Sequence, residues 1–186
     1  MAIINIEKSG IKIDDPERCK KFLAENGITY ERWDTGKIEN NEIDQERILD
    51  SFREEIEKLK KIGGYTTADV INMNPSTPGL EEMLAKFRKE HTHSEDEVRF
   101  TLEGRGIFFI HPERGDVFSI EVERGDLISV PAGTRHWFDL CGERRIVAIR
   151  LFQNKAGWIP NYTNSGEDRN FIPVCFGPSF IRHNEH

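Results

Sequence analysis

The sequence predicts a mainly β protein, an antiparallel sandwich or barrel preceded by a helical N-terminal arm. Three observations carry this reading. From Val98 onward apolar residues recur with a period of two, in short runs rich in Val, Ile and Phe. Six such runs follow one another at a spacing of roughly ten residues, separated by Gly, Pro and Asp turns. Before position 64 the period is instead close to helical. With 186 residues, 37% of them hydrophobic and including twelve Phe and three Trp, the chain can bury one sizeable core as a single domain.

In chain order, Ala2–Ile6 suits a short strand. "DDPERCKKFLAENG" places Asp ahead of a Pro in a first helical turn, apolar Phe22 and Leu23 within, and Gly27 at the end. "NNEIDQERILDSFREEIEKLKKIGG" sets Ile43, Ile48, Leu49, Phe52, Ile56 and Leu59 near helical spacing and stops at Gly63-Gly64. A β-like run, "YTTADVINM", comes next, and "STPGLEEMLAKFRKEH" reads as a third helix leading into two histidines. The six strands are then "VRFTLEG", "RGIFFIH", "DVFSIEVE", "DLISVP", "TRHWFDL" and "RRIVAIRLF". After Phe152 the chain turns Gly-, Asn- and Pro-rich. The expected division is an arm over 1–63, a barrel over about 64–152 and a wrapping segment over 153–186, all in one domain.

Composition excludes several function classes. A net charge of −7 argues against nucleic acid, whose binding needs clustered Lys and Arg. The basic residues of "KLKKI" are interleaved with Glu, the pattern of a solvated helix face. Neither a run of 18 apolar residues nor a signal-like N-terminus is present, so the expectation is a cytoplasmic protein with no membrane partner. Cys19, Cys141 and Cys175 lie far apart without a CxxC, and are expected to be reduced and structural. "ERGD" at 113–116 and 123–126 reads as a pair of tight turns.

The chemistry is concentrated in "EHTHSEDEVRF", residues 90–100. Residues i and i+2 of a strand share a face, so His91 points with His93, and Glu97 with Arg99. Val98, Phe100 and Leu102 then need cover on the other side, which a solvated charge run would not require. Taken alone, the His-x-His pair could as well be surface histidines, and His136 a core histidine beside Trp137. Downstream, however, "GDLISVPAGTRHWF" supplies a turn at Pro131 and Gly133 that sends His136 back along a new strand.

Together the stretches resemble the two motifs of the cupin superfamily. The first reads His91, His93, Glu97, Gly104, and the second Gly125, Pro131, Gly133, His136, with every spacing matched. The resemblance implies a small jelly-roll barrel in which His91, His93, Glu97 and His136 hold one divalent metal. "GYTTADVI", "KFRKEHTHSEDEVRF" and "PAGTRHWFDL" further resemble the acireductone dioxygenases of methionine salvage, over about Gly64 to Trp158.

That resemblance implies a substrate that is an enediol next to a ketone with a methylthio tail, and O2 as co-substrate. It implies Fe2+ or Ni2+ as cofactor, one per chain. With Fe2+ the products would be a 2-keto acid (the methionine precursor) and formate, and with Ni2+ a shorter carboxylic acid, formate and carbon monoxide. Three neutral imidazoles and a carboxylate leave a divalent ion with a charge of about +1, suited to an anionic chelator, and the ligands alone do not select the metal. By strand parity Arg99 is the expected anion-stabilising catalytic residue; a salt bridge to Glu95 or Asp96 is the plainer alternative. By resemblance Phe87, Phe138 and Trp158 line the substrate pocket, though each could be ordinary core. Glu90 and Glu95 match acidic positions flanking the ligands and are expected to support them. A monomer is expected. The competing readings are a sugar or keto-acid isomerase on the same metal cage, and a non-enzymatic cupin binding module.

Overall fold

The computed structural model describes residues 1–39, 44–154 and 159–177. Its strands are β1 (Ile3–Ile6), β2 (Ile11–Ile13), β3 (Thr29–Arg32), β4 (Thr67–Met73), β5 (His91–Thr92), β6 (Glu97–Gly104), β7 (Gly106–His111), β8 (Phe118–Val122), β9 (Asp126–Val130), β10 (Arg135–Leu140), β11 (Ile146–Phe152) and β12 (Asn161–Tyr162). The helices are α1 (Pro16–Glu25), α2 (Gln45–Ser51), α3 (Arg53–Gly63) and α4 (Leu80–Phe87), with a short 3-10 turn at Glu167–Asn170. One sheet has the order β12-β5-β10-β7-β8-β1-β2 and the other β3-β9-β6-β11-β4. All pairings are antiparallel, as short connections allow.

The two sheets face each other across the main core. Phe108, Ile110, Phe118 and Ile120 enter it from the first sheet, and Tyr30, Ile128, Val130 and Ala148 from the second. Each sheet is also covered on its outer face. Val98, Phe100, Leu102, Val147, Ile149 and Leu151 pack under Ile48, Phe52 and Ile56 of the α2–α3 region. Burial on both faces is why β7 and β11 read as nearly continuous apolar runs.

The six strands expected from the two-residue period are all present. The N-terminal 63 residues are less purely helical than the sequence suggests. β1 and β2 extend the first sheet beyond β8, and β3 edges the second by pairing with β9. α1 starts as read, with the Asp15 side chain accepting from the Arg18 N–H and Pro16 in the first turn. The expected second helix is two. It starts at Gln45, capped by Asp44, and breaks at Phe52, whose backbone is non-helical (φ −109°, ψ 19°). That break lets the Phe52 ring meet Phe100 edge-on at 5.0 Å. Ile43, assigned to this helix from the sequence, lies outside the described residues.

The expectation of three reduced cysteines is corrected. Cys19 is a buried thiol, but Cys141 and Cys175 form a disulfide. Their separation of 34 residues has no local spacing signature; the pairing exists because the C-terminal segment folds back over β10.

Candidate metal centre

Strand parity and one tight turn assemble the site. β5 carries His91, with His93 just beyond it; β6 opens with Glu97 and carries Arg99; β10 brings His136 directly opposite His91. The turn between β9 and β10 depends on Gly133, which sits at φ 77° and donates its N–H to the His93 carbonyl at 2.9 Å. One backbone hydrogen bond thus ties the second motif to the first. Gly104 closes β6 at φ 73°, where a Cβ would stand 1.9 Å from the Arg145 carbonyl oxygen. Only glycine fits that approach.

His91, His93, Glu97 and His136 are all buried, and their ligand atoms lie within 4.8 Å of one another. The imidazole orientations are set from behind. Nδ1 of His91 donates to the Lys89 carbonyl at 2.6 Å, Nδ1 of His136 to the Thr134 carbonyl at 2.8 Å, and Nδ1 of His93 to the Ile159 carbonyl at 3.4 Å. A carbonyl only accepts, so each Nδ1 carries the proton and each Nε2 presents its lone pair to the centre. Burial, then the neighbouring His136 ring, pushes the His91 pKa down to about 4, which keeps that ring neutral at pH 7.

Glu97 divides its two oxygens. Oε1 meets the Arg99 guanidinium at 2.6 Å, while Oε2 lies 2.9 Å from His136 Nε2 and 3.2 Å from His93 Nε2. Burial alone would raise its pKa, but the carboxyl is held well below the usual range, first of all by the Arg99 guanidinium. Lone pairs of nitrogen and of a carboxylate therefore face each other at van der Waals range or closer. Such a cluster of acceptors fits a cation at its focus: donors bonded at ~2.1 Å and at right angles stand roughly 3 Å apart. The donor set fits one divalent metal ion, and soft-thiolate metals are disfavoured by its all-nitrogen and oxygen composition.

Arg99 is 2% exposed, inside the barrel. Its Cζ lies 4.9 Å from the Phe138 ring centroid, 5.6 Å from that of Phe108 and 5.9 Å from that of Phe87. The structure thus brings Phe87 and Phe138 to Arg99, and adds Phe108, which sequence reasoning missed. Its signal was available, since Phe108 shares the inward face of β7 with Ile110 and alternates with Ile107 and Phe109. Burial pushes the guanidinium pKa down, and Glu97 opposes it. Arg99 pairs with Glu97, while the two acids proposed for it are engaged elsewhere. The Glu95 carboxylate accepts from the Gln153 and Asn154 N–H groups at 3.1 and 2.8 Å, and Asp96 from Ala132 N–H and Tyr65 Oη–H at 2.9 and 3.0 Å.

Glu90 turns away from His91, as neighbours in extended chain do. It pairs with His111 Nδ1 at 2.6 Å, accepts from Ser165 Oγ at 2.7 Å and from the Thr163 hydroxyl, and so anchors the returning C-terminal segment. Trp158 lies outside the described residues.

Residues 12–160 match the model of the ARD/ARD' family. The chain belongs to that family. The acireductone dioxygenase of Exiguobacterium sibiricum is 40% identical over 170 residues, covering 87% of this chain and 95% of that one. The acireductone dioxygenase of Bacillus anthracis is 43% identical over 170 residues, covering 87% of this chain and all of that one. A solved structure described as acireductone dioxygenase from Bacillus anthracis with a cadmium ion in its active centre superposes with a TM-score of 0.84 at 42% identity, over 87% of this chain and 98% of that one. The cupin barrel expected from the two motifs is the family's fold, and the chain has it.

Proposed function

We propose that this protein is an acireductone dioxygenase: it cleaves a methylthio-bearing acireductone with O2 in methionine salvage, using one Fe2+ or Ni2+ held by His91, His93, Glu97 and His136. The observation that carries this reading is the buried three-histidine, one-carboxylate cluster beside an arginine in an aromatic box, in a chain of the ARD/ARD' family. A divalent ion bound there supplies a Lewis-acid centre of about +1 net charge that a deprotonated enediol can chelate through two oxygens.

The chain's own residues do the rest. Lys89, Thr134 and Ile159 carbonyls hold the three rings in one tautomer, so the site is formed before substrate arrives. Arg99 restrains Glu97 through Oε1 and keeps Oε2 aimed at the histidines. The same fixed cation is there to stabilise an anionic substrate, its charge little screened in the dry surroundings. Phe87, Phe108 and Phe138 exclude water from it and offer an apolar wall for a thioether tail. We extend the pocket to Trp158 on the family resemblance. Glu90 and Glu95 act by holding the segments on either side of 155–158 against the barrel. We place the enzyme in the cytoplasm as a single-domain monomer; among the described residues no helix is long and apolar enough to cross a membrane.

The test is to strip the metal, reconstitute separately with Fe2+ and Ni2+, and analyse products under O2. The expected outcome is a 2-keto acid and formate with Fe2+, and a shorter acid, formate and carbon monoxide with Ni2+. Identical products would end the metal-directed reading, and no O2 uptake from either would favour an isomerase or binding role. Arg99→Lys keeps the charge but loses the planar fork. It should retain the metal while kcat/KM falls on the order of a hundredfold; unchanged kcat/KM would remove Arg99 from the chemistry.

A further inference from the structure

The C-terminal segment is fastened at both ends of a strap that crosses the first sheet. At its start it touches the metal centre: the Ile159 carbonyl receives the His93 Nδ1–H, and β12 pairs with β5 so that Tyr162 sits opposite His91. Thr163 and Ser165 hold Glu90. At its far end Phe171 lies on the Trp137 and Phe109 rings at 5.9 and 6.2 Å, the Phe176 N–H donates to Glu121, and Cys175 is bonded to Cys141.

Burial does little to hold this strap. Its pairing with β5 is two residues long, both exposed, and Ile172 and Val174 are 80% and 48% exposed. Segments with so little buried apolar surface open at low cost. The covalent bond supplies what packing does not.

We propose that the Cys141–Cys175 disulfide is a redox latch on the metal centre, opened by a dithiol reductant. The inference rests on the metal-centre reading above. Cys175 is the more exposed residue of the pair and Cys141 is only 2% exposed, so attack falls on Cys175 Sγ. A thiolate of the dithiol bonds to Cys175 Sγ, the Sγ–Sγ bond breaks, and Cys141 leaves as a thiolate that takes a proton from solvent. The second thiol of the dithiol, as thiolate, then displaces Cys175, which is also protonated. The protein gains two electrons and two protons, and the dithiol closes to its own disulfide. With the far end released, residue 159 is held by the β12 pairing and by the Thr163 and Ser165 contacts to Glu90, so the strap opens toward it more often and the His93 tautomer is fixed less of the time. In a reducing compartment the latch would stand open unless oxidised, which links oxidant level to metal retention.

Three forms of the Ni2+-loaded protein test this: oxidised wild type, wild type reduced with dithiothreitol and desalted under argon, and the Cys141→Ser/Cys175→Ser double variant. The readouts are amide exchange over residues 159–165 and the rate of Ni2+ release to excess EDTA. Both should rise in the reduced and double-variant forms, Ni2+ release by about tenfold, as expected when a ligand's supporting partner is lost. Reoxidation should reverse the change in wild type but not in the variant. Equal exchange and equal release in oxidised and reduced wild type would overturn the latch, as would an intact mass showing both thiols still free after incubation with oxidised glutathione. If the oxidised protein binds no Ni2+, the metal-centre reading fails instead, and exchange over 159–165 decides the latch by itself.

Discussion

The two sheets of the barrel solve the same problem in opposite ways. Each has an apolar outer face. Over β6, β9 and β11 the cover is regular: the α2–α3 region lays Ile48, Phe52 and Ile56 on Val98, Phe100 and Ile149, all of them at most 4% exposed. Over β7 and β10 it is irregular: Phe171 and Cys175 rest on Ile107, Phe109 and Trp137, and a disulfide closes the contact. The first cover is held by the hydrophobic effect acting on helices that satisfy their own backbone, whereas the second is a coil that needs a covalent tie. The metal ligands lie between them. Glu97 stands on the strand under the helices, and His91, His93 and His136 belong to the side that the strap crosses.

This contrast predicts unequal responses. The largest stability loss should come from Phe52→Ala, which leaves a cavity under the helical cover and should cost about 3–5 kcal/mol by denaturant unfolding. A loss below about 1 kcal/mol would mean that the helices are not what seals that sheet. Removing the tie on the other face, with Cys141→Ser/Cys175→Ser, should cost at most about 4 kcal/mol, the loop-entropy limit for a separation of 34 residues. The two variants should also differ in kind. Phe52→Ala should lower the midpoint of global unfolding while leaving exchange of the strap unchanged in native buffer, and the cysteine variant should alter the strap first. If both variants loosen residues 159–165 equally, the covers are one cooperative unit and the contrast fails.

The same difference explains what the sequence disclosed. The helical cover was legible because Ile48, Phe52 and Ile56 recur at helical spacing, although periodicity could not show the break at Phe52, where the ring meets Phe100. The six central strands were legible because each is a run of five to eight residues, most rich in Val, Ile or Phe, set between turn residues. β2 and β3 were not, since three or four residues carry too little alternation to separate strand from turn. The four metal-site residues were legible because a strand and a tight turn convert fixed spacing into fixed geometry. Glu90 was read only as a flanking acid, because spacing does not say which partner lies across the sheet. That partner is His111, which the sequence left without a role. The strap and its disulfide were the least legible, since a coil has no period and Cys141 and Cys175 meet only through the fold.

The central claim is that His91, His93, Glu97 and His136 act as one metal site, and bound metal per chain tests it most directly. Wild type and His136→Ala would be stripped, reconstituted with Ni2+, desalted and analysed for metal and protein together. The account predicts one ion per wild-type chain and a sharp loss in His136→Ala, whose missing imidazole opens the face that β10 supplies. Full stoichiometric metal in His136→Ala, or none in wild type, would contradict it.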